Sequence, residues 1–426
     1  MKGLIHTRDG KLSAERHEMS EEYERFDQKH NMIYACEWKE EYAGVNNAAR
    51  VASRAKHIAN KVPGYGREDI AFVMASSAGT GGSRFVINRS DSGGTSWSPI
   101  KRSTVGGATI DELPLWEGTP EENTRLVKKL AVRYGAGDVG LCMLDRRYVY
   151  SRYYDPSDKQ SYAIKFSDEE GFEQYTKPQT LPDKTQIIPK EMKYAIVMVY
   201  PMELEGIATA PRPTHMGTTL ETYSQIAFTS MSLAEFIRGL GYNAIPSSND
   251  TAASIPMAID AGLGELSRSA KLAHPQFGTS CRISKIITDL PLVPDKPIAF
   301  GVYEFCKVCK RCAERCPVKA ISLDDDMTSE PRGEFSVRHI RQWQLDHAKC
   351  REMFTKAGTN CGLCLANCPL NRENTFSHRV KKSIMSAAPA FDRILLKSMI
   401  RSGGGKLQNS AAFWEKLKKT ADKKIK

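Results

Sequence analysis

Four cysteines occur at close spacing in the run Cys306-Lys307-Val308-Cys309-Lys310-Arg311-Cys312-Ala313-Glu314-Arg315-Cys316-Pro317. This is the C-x2-C-x2-C-x3-C-P pattern, in which cysteine thiolates hold [4Fe–4S] clusters. Three thiolates on one tight loop each bind an iron of the same cube. The fourth lies on the helix that follows, points away from the loop, and ligates a second cluster. The run therefore predicts half of a two-cluster domain.

A second cysteine motif, which again ends in Cys-Pro at position 369, supplies the other half. Because each fourth cysteine crosses over, each cluster takes one ligand from the other motif. The first cluster is assigned Cys306, Cys309, Cys312 and Cys368, and the second is assigned Cys316, Cys350, Cys361 and Cys364. Structural zinc is the alternative, but its ligands come as two separated pairs. A triple at three-residue spacing fits zinc poorly, so we predict two [4Fe–4S] clusters.

The rest of the composition is that of a large globular chain. Its 426 residues imply two or three domains, and a chain of this size needs no disulfide framework to fold. Eight of the 11 cysteines fall in the two motifs, which favours metal ligation. The others, Cys36, Cys142 and Cys281, are expected to be small buried residues. No apolar run reaches the roughly 18 residues that a membrane span requires.

The chain is basic, with a net charge of +11 and a pI near 9.0. Basic residues are spread along the chain and concentrate only in the C-terminal tail, so we expect no nucleic-acid partner. The tail contains a predicted helix capped at Asn409-Ser410, with Phe413, Trp414 and Leu417 on one face. A solvated helix is favoured there over contact with anionic lipid or a partner.

Helices alternate with apolar strands upstream of the cysteines, which is typical of an α/β layer. The predicted helices are 21–29, 48–59, 120–134 and 218–240, and the predicted strands are 139–144, 194–200 and 242–246. The G-x-G-x-x-G match that starts at Gly135 follows a helix and precedes a strand, the reverse of the nucleotide-binding order, so it is interpreted as a helix stop. The glycine-rich loop around Gly79 lacks a Gly-Lys-Ser/Thr ending and is predicted to be a surface turn.

Several segments before the first cysteine motif occur in a recognisable order. They are Thr222 to Gln225, Leu233 to Pro246, Ala261 to Glu265, Pro275 to Gly278 with Arg282, Thr288 to Leu292, and Pro294 to Ile298. Together with Tyr23 to Met32 near the start, they resemble the catalytic subunit of corrinoid-dependent respiratory reductive dehalogenases. The resemblance runs from about Leu115 to Pro369 and is dense from Thr218 onward.

The resemblance implies a fold as well as a cofactor. The expected fold is α/β (α+β), with a nitroreductase-like core that holds a base-off corrinoid and a C-terminal ferredoxin-like domain. The absence of an Asp-x-His-x-x-Gly motif agrees, since that motif would supply a histidine ligand to the cobalt. The expected parts are an N-terminal wrap (1–114), the core (115–300) with an insertion at about 145–192, the two-cluster domain (301–380) and the basic tail (381–426).

The resemblance also assigns site residues. Tyr223 matches the proton donor of the family, Arg282 the basic residue that tunes it, and Asn249 a polar residue of the same site. Gly262 and Gly264 match positions where backbone passes close to the corrinoid, which glycine permits because it has no side chain.

The chemistry of a tyrosine beside an arginine is coherent in itself. A free tyrosine has a pKa of about 10, and an adjacent guanidinium stabilises tyrosinate. The phenol can then release its proton to a developing carbanion. The predicted reaction is R–X + 2e⁻ + H⁺ → R–H + X⁻ on a halogenated organic compound, as the terminal step of organohalide respiration.

The resemblance further implies partners and a location. The expected electron donor is a reduced quinone-linked protein, a ferredoxin or a flavodoxin, and a small membrane-anchor protein and a second copy of the chain are further candidate partners. Exported members carry a twin-arginine leader that is absent from the first residues here. We expect a trimmed leader and a position at the outer face of the cytoplasmic membrane; the alternative is a cytoplasmic protein.

Two other functions remain open on the sequence. An epoxyqueuosine reductase that modifies tRNA shares the corrinoid and two-cluster plan and would explain the basic charge. Against it stand the long N-terminal segment, the insertion, and a tyrosine where that family is expected to use a carboxylate. An electron-transfer module without catalysis is the third hypothesis, but it leaves the large α/β part unexplained.

Overall fold

The computed structural model of the chain describes residues 7–9, 19–77, 97, 115–373 and 375–425. The predicted surface turn around Gly79 and much of the predicted N-terminal wrap lie outside these residues. Within the described ranges, no helix is long and apolar enough to cross a membrane.

The helices and strands are numbered in chain order over the described residues. The α-helices are α1 (Met32–Trp38), α2 (Asn47–Ala59), α3 (Arg67–Ser76), α4 (Pro120–Tyr134), α5 (Leu204–Ala208), α6 (Pro213–Gly239), α7 (Ser254–Asp260), α8 (Val302–Cys309), α9 (Arg311–Glu314), α10 (His347–Ala357), α11 (Leu363–Ala366), α12 (Phe376–Ala387), α13 (Asp392–Arg401) and α14 (Ser410–Ile425). The strands are β1 (Arg8–Asp9), β2 (Asp138–Met143), β3 (Arg152–Asp155), β4 (Gln160–Phe166), β5 (Gln179–Thr180), β6 (Gln186–Ile188), β7 (Tyr194–Pro201), β8 (Ala244–Ser247), β9 (Glu265–Leu266), β10 (Leu272–Ala273), β11 (Cys281–Thr288) and β12 (Ile298–Ala299).

A four-stranded antiparallel sheet forms the centre of the core, in the order β2-β7-β11-β8. Successive residues of a strand point to opposite faces, and β7 is apolar on both of them. Ala195, Val197 and Val199 pack in the cluster that includes α7, whereas Ile196, Met198 and Tyr200 pack in the cluster that includes α4 and α6. The sheet is therefore covered on both sides, as an α/β layer requires.

Helix α6 is the longest described helix and the one that carries Tyr223. The sequence predicted its end correctly but its start five residues late. Pro213 occupies the first turn, where a missing N–H costs nothing. Residues 213–219 are all buried although several are polar, so this part shows no amphipathic period.

Most other predicted elements are confirmed. The helices 48–59 and 120–134 and the three strands are present within one or two residues, and Gly135 ends α4 as expected. The segment predicted as an insertion contains a second four-stranded sheet, in the order β3-β4-β6-β5. Cys36, Cys142 and Cys281 are buried and free.

The predicted helix over 21–29 is wrong. Residues 28–30 form a short 3-10 helix, and the Asp27 side chain accepts the Lys29 backbone N–H at its start. The Arg25 guanidinium donates to three backbone carbonyls of the segment that follows β2, at 2.8–3.0 Å. These distant contacts hold the segment in a non-helical path, and tertiary contacts of this kind override weak local propensity.

The basic tail packs against the rest of the chain instead of lying free. Asn409 caps α14 as predicted, by accepting the Ala412 N–H at 2.8 Å. Trp414 donates to Asp69 at 3.0 Å and lies edge-on to Phe72. The indole is thus committed to α3 and is not free for a lipid or a partner, whereas Leu417 on the same predicted face is 52% exposed.

Asp392, at the start of α13, leads to a prediction about pH. Its buried carboxylate has no hydrogen-bond partner within the described residues, and burial and then the charge of Glu304 raise its pKa to about 7. Between about pH 4 and pH 7 the unfolded chain loses this proton first, so the folded state becomes less stable as the pH rises. Asp392→Asn should remove this penalty and raise the free energy of unfolding by about 1 kcal/mol at pH 8, after allowance for solvent screening. Urea unfolding of both proteins at pH 5 and pH 8 should show the gain only at the higher pH, and an equal gain at both would contradict it.

Candidate functional site

The two cysteine motifs fold into two similar loops. In each loop, a residue with a left-handed backbone conformation precedes a short helix. In the first loop it is Lys310 (φ 46°), which follows Cys309 and precedes α9. In the second loop it is Gly362 (φ 66°), which follows Cys361 and precedes α11. A Cβ at Gly362 would collide with the imidazole of His215 on α6, so this position requires glycine for packing as well as for conformation.

One cavity is lined by four thiols drawn from both motifs. They are Cys306, Cys309, Cys312 and Cys368, named below the first cysteine group. Ser267, Arg268 and Ser269 of the loop after β9 complete part of the wall. The fourth cysteine of the second motif therefore lies with three cysteines of the first motif, which is the arrangement that crossing predicts.

The other four thiols form the second cysteine group, Cys316, Cys350, Cys361 and Cys364. Their charges act on one another: burial, and then mainly Cys364, raise the pKa of Cys350 to about 12, and the same two causes raise the pKa of Cys361 to about 12. Cys364 also acts on Cys312 of the first group, so the two groups are neighbours.

The donor sets fit iron–sulfur clusters. Each group offers four soft thiolate ligands, and the first group surrounds a space of its own. Burial raises the pKa of every thiol in the first group, so iron would have to displace tightly held protons. Within the described residues, no three His, Cys, Asp or Glu side chains form a site for a single metal ion. The assignment of each thiol to a cluster stays a prediction.

Tyr223, Asn249 and Arg282 meet at one place although they come from three elements. Asn249, in the loop after β8, donates from Nδ2 to the Tyr223 Oη at 2.7 Å. The Arg282 guanidinium, on β11, lies 5.5 Å from the centroid of the Tyr223 ring. Its Nε is buried without a hydrogen-bond partner within the described residues.

Lys285 holds the loop that carries Asn249. Its ammonium is fully buried and donates to the Ser248 carbonyl at 2.6 Å, and to the Asp250 carbonyl and the Ser254 hydroxyl at 3.1 Å. Burial lowers the pKa of Lys285 to about 8, and the charge of Asp250 opposes that change. The lysine therefore positions Asn249 through the backbone on either side of it.

We expect Lys285→Met to destabilise the protein by about 1–3 kcal/mol, because it leaves buried acceptors without a donor. Lys193, exposed just before β7, offers a matched control, and Lys193→Met should change stability by less than about 0.5 kcal/mol. Urea unfolding of the two variants measures the difference. Equal stability of the two variants would show that Lys285 does not hold this loop.

A large cavity lies beside Asn249 and encloses about 1470 Å³, counting its open mouth. We call it the site cavity. Its wall includes Tyr23 and Phe26 of the N-terminal segment, Tyr150 after β2, and α7, and it reaches Lys271 and His347. His347 precedes Cys350 by three residues, and the charge of Lys271 acts on Cys350 and Cys364. The site cavity thus extends from Asn249, the partner of Tyr223, to residues that neighbour the second cysteine group.

His215 is buried between Arg282 and the second cysteine loop. Burial and then the charge of Arg282 lower its pKa to about 4, so it is neutral near pH 7. Its imidazole lies against Gly362 in the second cysteine loop.

Comparison with known proteins matches both halves of the chain. A family model described as a reductive dehalogenase subunit matches residues 26–292, and one described as a 4Fe-4S double cluster binding domain matches residues 305–371. The chain belongs to the reductive dehalogenase family. The α/β fold class and the C-terminal two-cluster domain predicted from the sequence are confirmed.

Individual dehalogenases are similar over much of this chain. The tetrachloroethene reductive dehalogenase of Sulfurospirillum multivorans is 35% identical over 323 residues, which cover 75% of this chain and 62% of that protein. A solved catabolic reductive dehalogenase, 21% identical, covers 94% of this chain and 49% of that one with a TM-score of 0.62. A reductive dehalogenase structure described in terms of B12-dependent dehalogenation is 25% identical, with a TM-score of 0.54, over 70% of this chain and 40% of that one.

This dehalogenase-family chain therefore spans between 40% and 62% of the length of these relatives. An epoxyqueuosine reductase of Lactococcus garvieae is more distant, with 25% identity over 125 residues, or 29% of this chain. The dehalogenase hypothesis is the one that the family match supports.

The two predicted corrinoid glycines have structural reasons of their own in this chain. Gly262 (φ 69°) and Gly264 (φ 154°) are in conformations that favour glycine. A Cβ would collide with the Lys296 carbonyl at the first and with the Ala273 carbonyl at the second. Contact with a corrinoid at these positions stays a prediction.

Sequence reasoning missed three parts of this candidate site. A lone lysine in the largely apolar second half of β11 was the signal for Lys285, and a histidine in a buried helix was the signal for His215. The tyrosines were missed as a group: burial and the charge of Asp250 raise the pKa of Tyr34 to about 12 and also raise that of Tyr150. No spacing in the sequence connects Tyr34 or Tyr150 to Asn249.

Proposed function

We propose that the chain is a reductive dehalogenase that replaces a carbon-bound halogen by hydrogen, R–X + 2e⁻ + H⁺ → R–H + X⁻. The observation that carries the proposal is the site cavity, whose wall runs from Asn249, the hydrogen-bond partner of Tyr223, to Lys271 and His347 beside the second cysteine group. A proton source and a prospective electron source thus lie next to the two ends of one cavity, and this reaction consumes both.

The first cysteine group would hold one [4Fe–4S] cluster, the second group the other, and the site cavity a base-off corrinoid near Gly262 and Gly264. When bound, these groups supply the two electrons at low potential. Half-buried polar wall residues such as His347 and Lys271 fit a large polar cofactor, and the aromatic wall fits an apolar substrate.

Tyr223 would deliver the proton. Asn249 donates its amide N–H to the phenol oxygen, so the phenol hydrogen is free to point elsewhere, toward substrate carbon. The same amide N–H and the Arg282 cation stabilise the tyrosinate that remains after transfer. Arg282 also offers fixed donors to the departing halide.

The wider setting belongs to the same proposal. A reduced quinone-linked protein, a ferredoxin or a flavodoxin would reduce the clusters, as the terminal step of organohalide respiration. A small membrane-anchor protein and a second copy of the chain are proposed partners. The proposed location is the outer face of the cytoplasmic membrane, with the cytoplasm as the alternative.

The proposal is tested by halide release from a panel of haloalkenes and halophenols, with reduced viologen as electron donor. Protein with a cobalt-to-iron ratio of about one to eight is expected to release halide from at least one class. Iron without cobalt after growth with corrinoid would contradict the cofactor assignment. Fully loaded protein that reduces epoxyqueuosine in tRNA, and releases no halide, would overturn the proposed reaction.

A further inference from the structure

Arg268 is a buried arginine in the wall of the first cysteine group. Its side chain is 1% exposed, and its guanidinium lies 4.7 Å from the centroid of the Trp343 ring. Nε donates to the Cys306 carbonyl at 3.0 Å, and Nη1 donates to the carbonyls of Ser322 and Asp324 at 2.9 and 2.7 Å. The plane and position of the guanidinium are therefore fixed from three sides.

One end of this fixed guanidinium has no partner. Nη2 is buried and makes no hydrogen bond within the described residues. The other guanidinium nitrogens donate to backbone carbonyls, and among the described residues no carboxylate forms an ion pair with Arg268. A buried cation without a counter-charge and a buried donor without an acceptor are both costly.

The cavity that Arg268 lines can supply both missing interactions. Four thiolates and the sulfides of a [4Fe–4S] cube carry a net negative charge, and their sulfurs accept hydrogen bonds. The potential of such a cluster is set by net charge, hydrogen bonds to sulfur and exposure. A fixed cation beside it favours the state with one more electron.

We propose that Arg268 sets the potential of the first cluster, by donating from Nη2 to one of its sulfurs and by stabilising its reduced form with a buried positive charge. Arg268 is thus a tuning residue that acts on electron supply and touches no substrate. The inference rests on the ligand set proposed for the first cluster. It does not depend on which organic molecule the protein reduces.

The test compares Arg268→Met with wild type in full-length protein of equal iron content. Redox titration followed by EPR is expected to show one cluster potential lowered and the other unchanged. Arg268→Lys keeps the charge but not the planar fork, so it should lower the same potential by less. An unchanged or raised potential in Arg268→Met overturns the proposal.

Lys310 provides a matched control. It lines the same cavity and carries the same charge, but it is partly exposed and paired with Asp325 at 2.5 Å. Because solvent and a carboxylate screen it, Lys310→Met should shift the potential less than Arg268→Met does. Equal shifts would mean that any nearby cation serves, which overturns the specific role of Arg268.

A measurement on the unaltered side chain decides the matter if Arg268→Met loses iron. Protein grown with arginine that carries ¹⁵N only in its guanidino nitrogens is reduced and studied by pulsed EPR. A ¹⁵N hyperfine coupling to a cluster is expected. Arg311 is another arginine whose charge acts on this cysteine group, so Arg311→Lys removes it as a source of the signal. The coupling should persist in that variant, because it comes from Arg268. Absence of the coupling overturns the proposal for Arg268. Wild-type protein that lacks two clusters would instead contradict the proposed function.

Discussion

Tyr223→Phe is expected to lower the rate of dehalogenation by about 10²–10⁴-fold, the usual contribution of a positioned acid. The substitution removes only the hydroxyl that accepts from Asn249, and it keeps the ring that faces Arg282. The absorption spectrum and the metal content should therefore stay those of wild type. Initial rates of halide release with reduced viologen, normalised to cobalt, measure the effect.

Tyr242 provides the control for this substitution. It is also half-buried, but its hydroxyl donates to the Trp116 carbonyl at 3.1 Å, whereas the Tyr223 hydroxyl accepts from Asn249. Tyr242→Phe should keep the rate within about threefold of wild type, as expected for a residue outside the reacting groups. A Tyr223→Phe protein that is equally active would show that another group delivers the proton.

The second large effect concerns the crossing of the fourth cysteines. Cys309→Ala and Cys368→Ala should each lower the iron content from about eight to about four per chain, because both lie in the first cysteine group. Their combination should remove no further iron, since both changes destroy the same cluster. Cys309→Ala combined with Cys316→Ala should remove nearly all of it.

The opposite pattern in the two double variants would mean that each motif binds its own cluster without crossing. Cys281→Ala offers a control, since Cys281 is a buried free thiol outside both groups. It should retain all of the iron. Circular dichroism of each variant separates loss of a cluster from loss of the fold.

How far the sequence predicts the site differs from one residue to another. The cysteine groups follow from spacing, because a tight loop followed by a helix leaves little freedom in where each thiol points. Tyr223, Asn249 and Arg282 are separate in the chain, and no periodicity connects them. They were identified through a family resemblance, and the structure brings them within contact distance.

The parts that could not be predicted depend on contacts between distant segments. The non-helical path of residues 21–27 is held by Arg25 on carbonyls more than 120 residues away. The wall of the site cavity likewise combines an N-terminal segment, the segment after β2 and α7. Local sequence patterns carry no information about contacts between segments so far apart in the chain. The strands and helices of the central layer could be predicted because their apolar faces repeat at the spacing of a strand or a helix.

Helix α6 carries His215 against the second cysteine loop and Tyr223 beside Asn249 and Arg282. The two positions are eight residues apart, which corresponds to about 12 Å along one continuous helix. The distance between the second cysteine loop and the Tyr223 hydroxyl is therefore set by one helix. The wall of the site cavity is formed by other segments, so its side chains can be exchanged during evolution without moving α6. In this fold, substitutions in the wall of the site cavity can alter which molecules fit there without altering the distance between Tyr223 and the second cysteine loop.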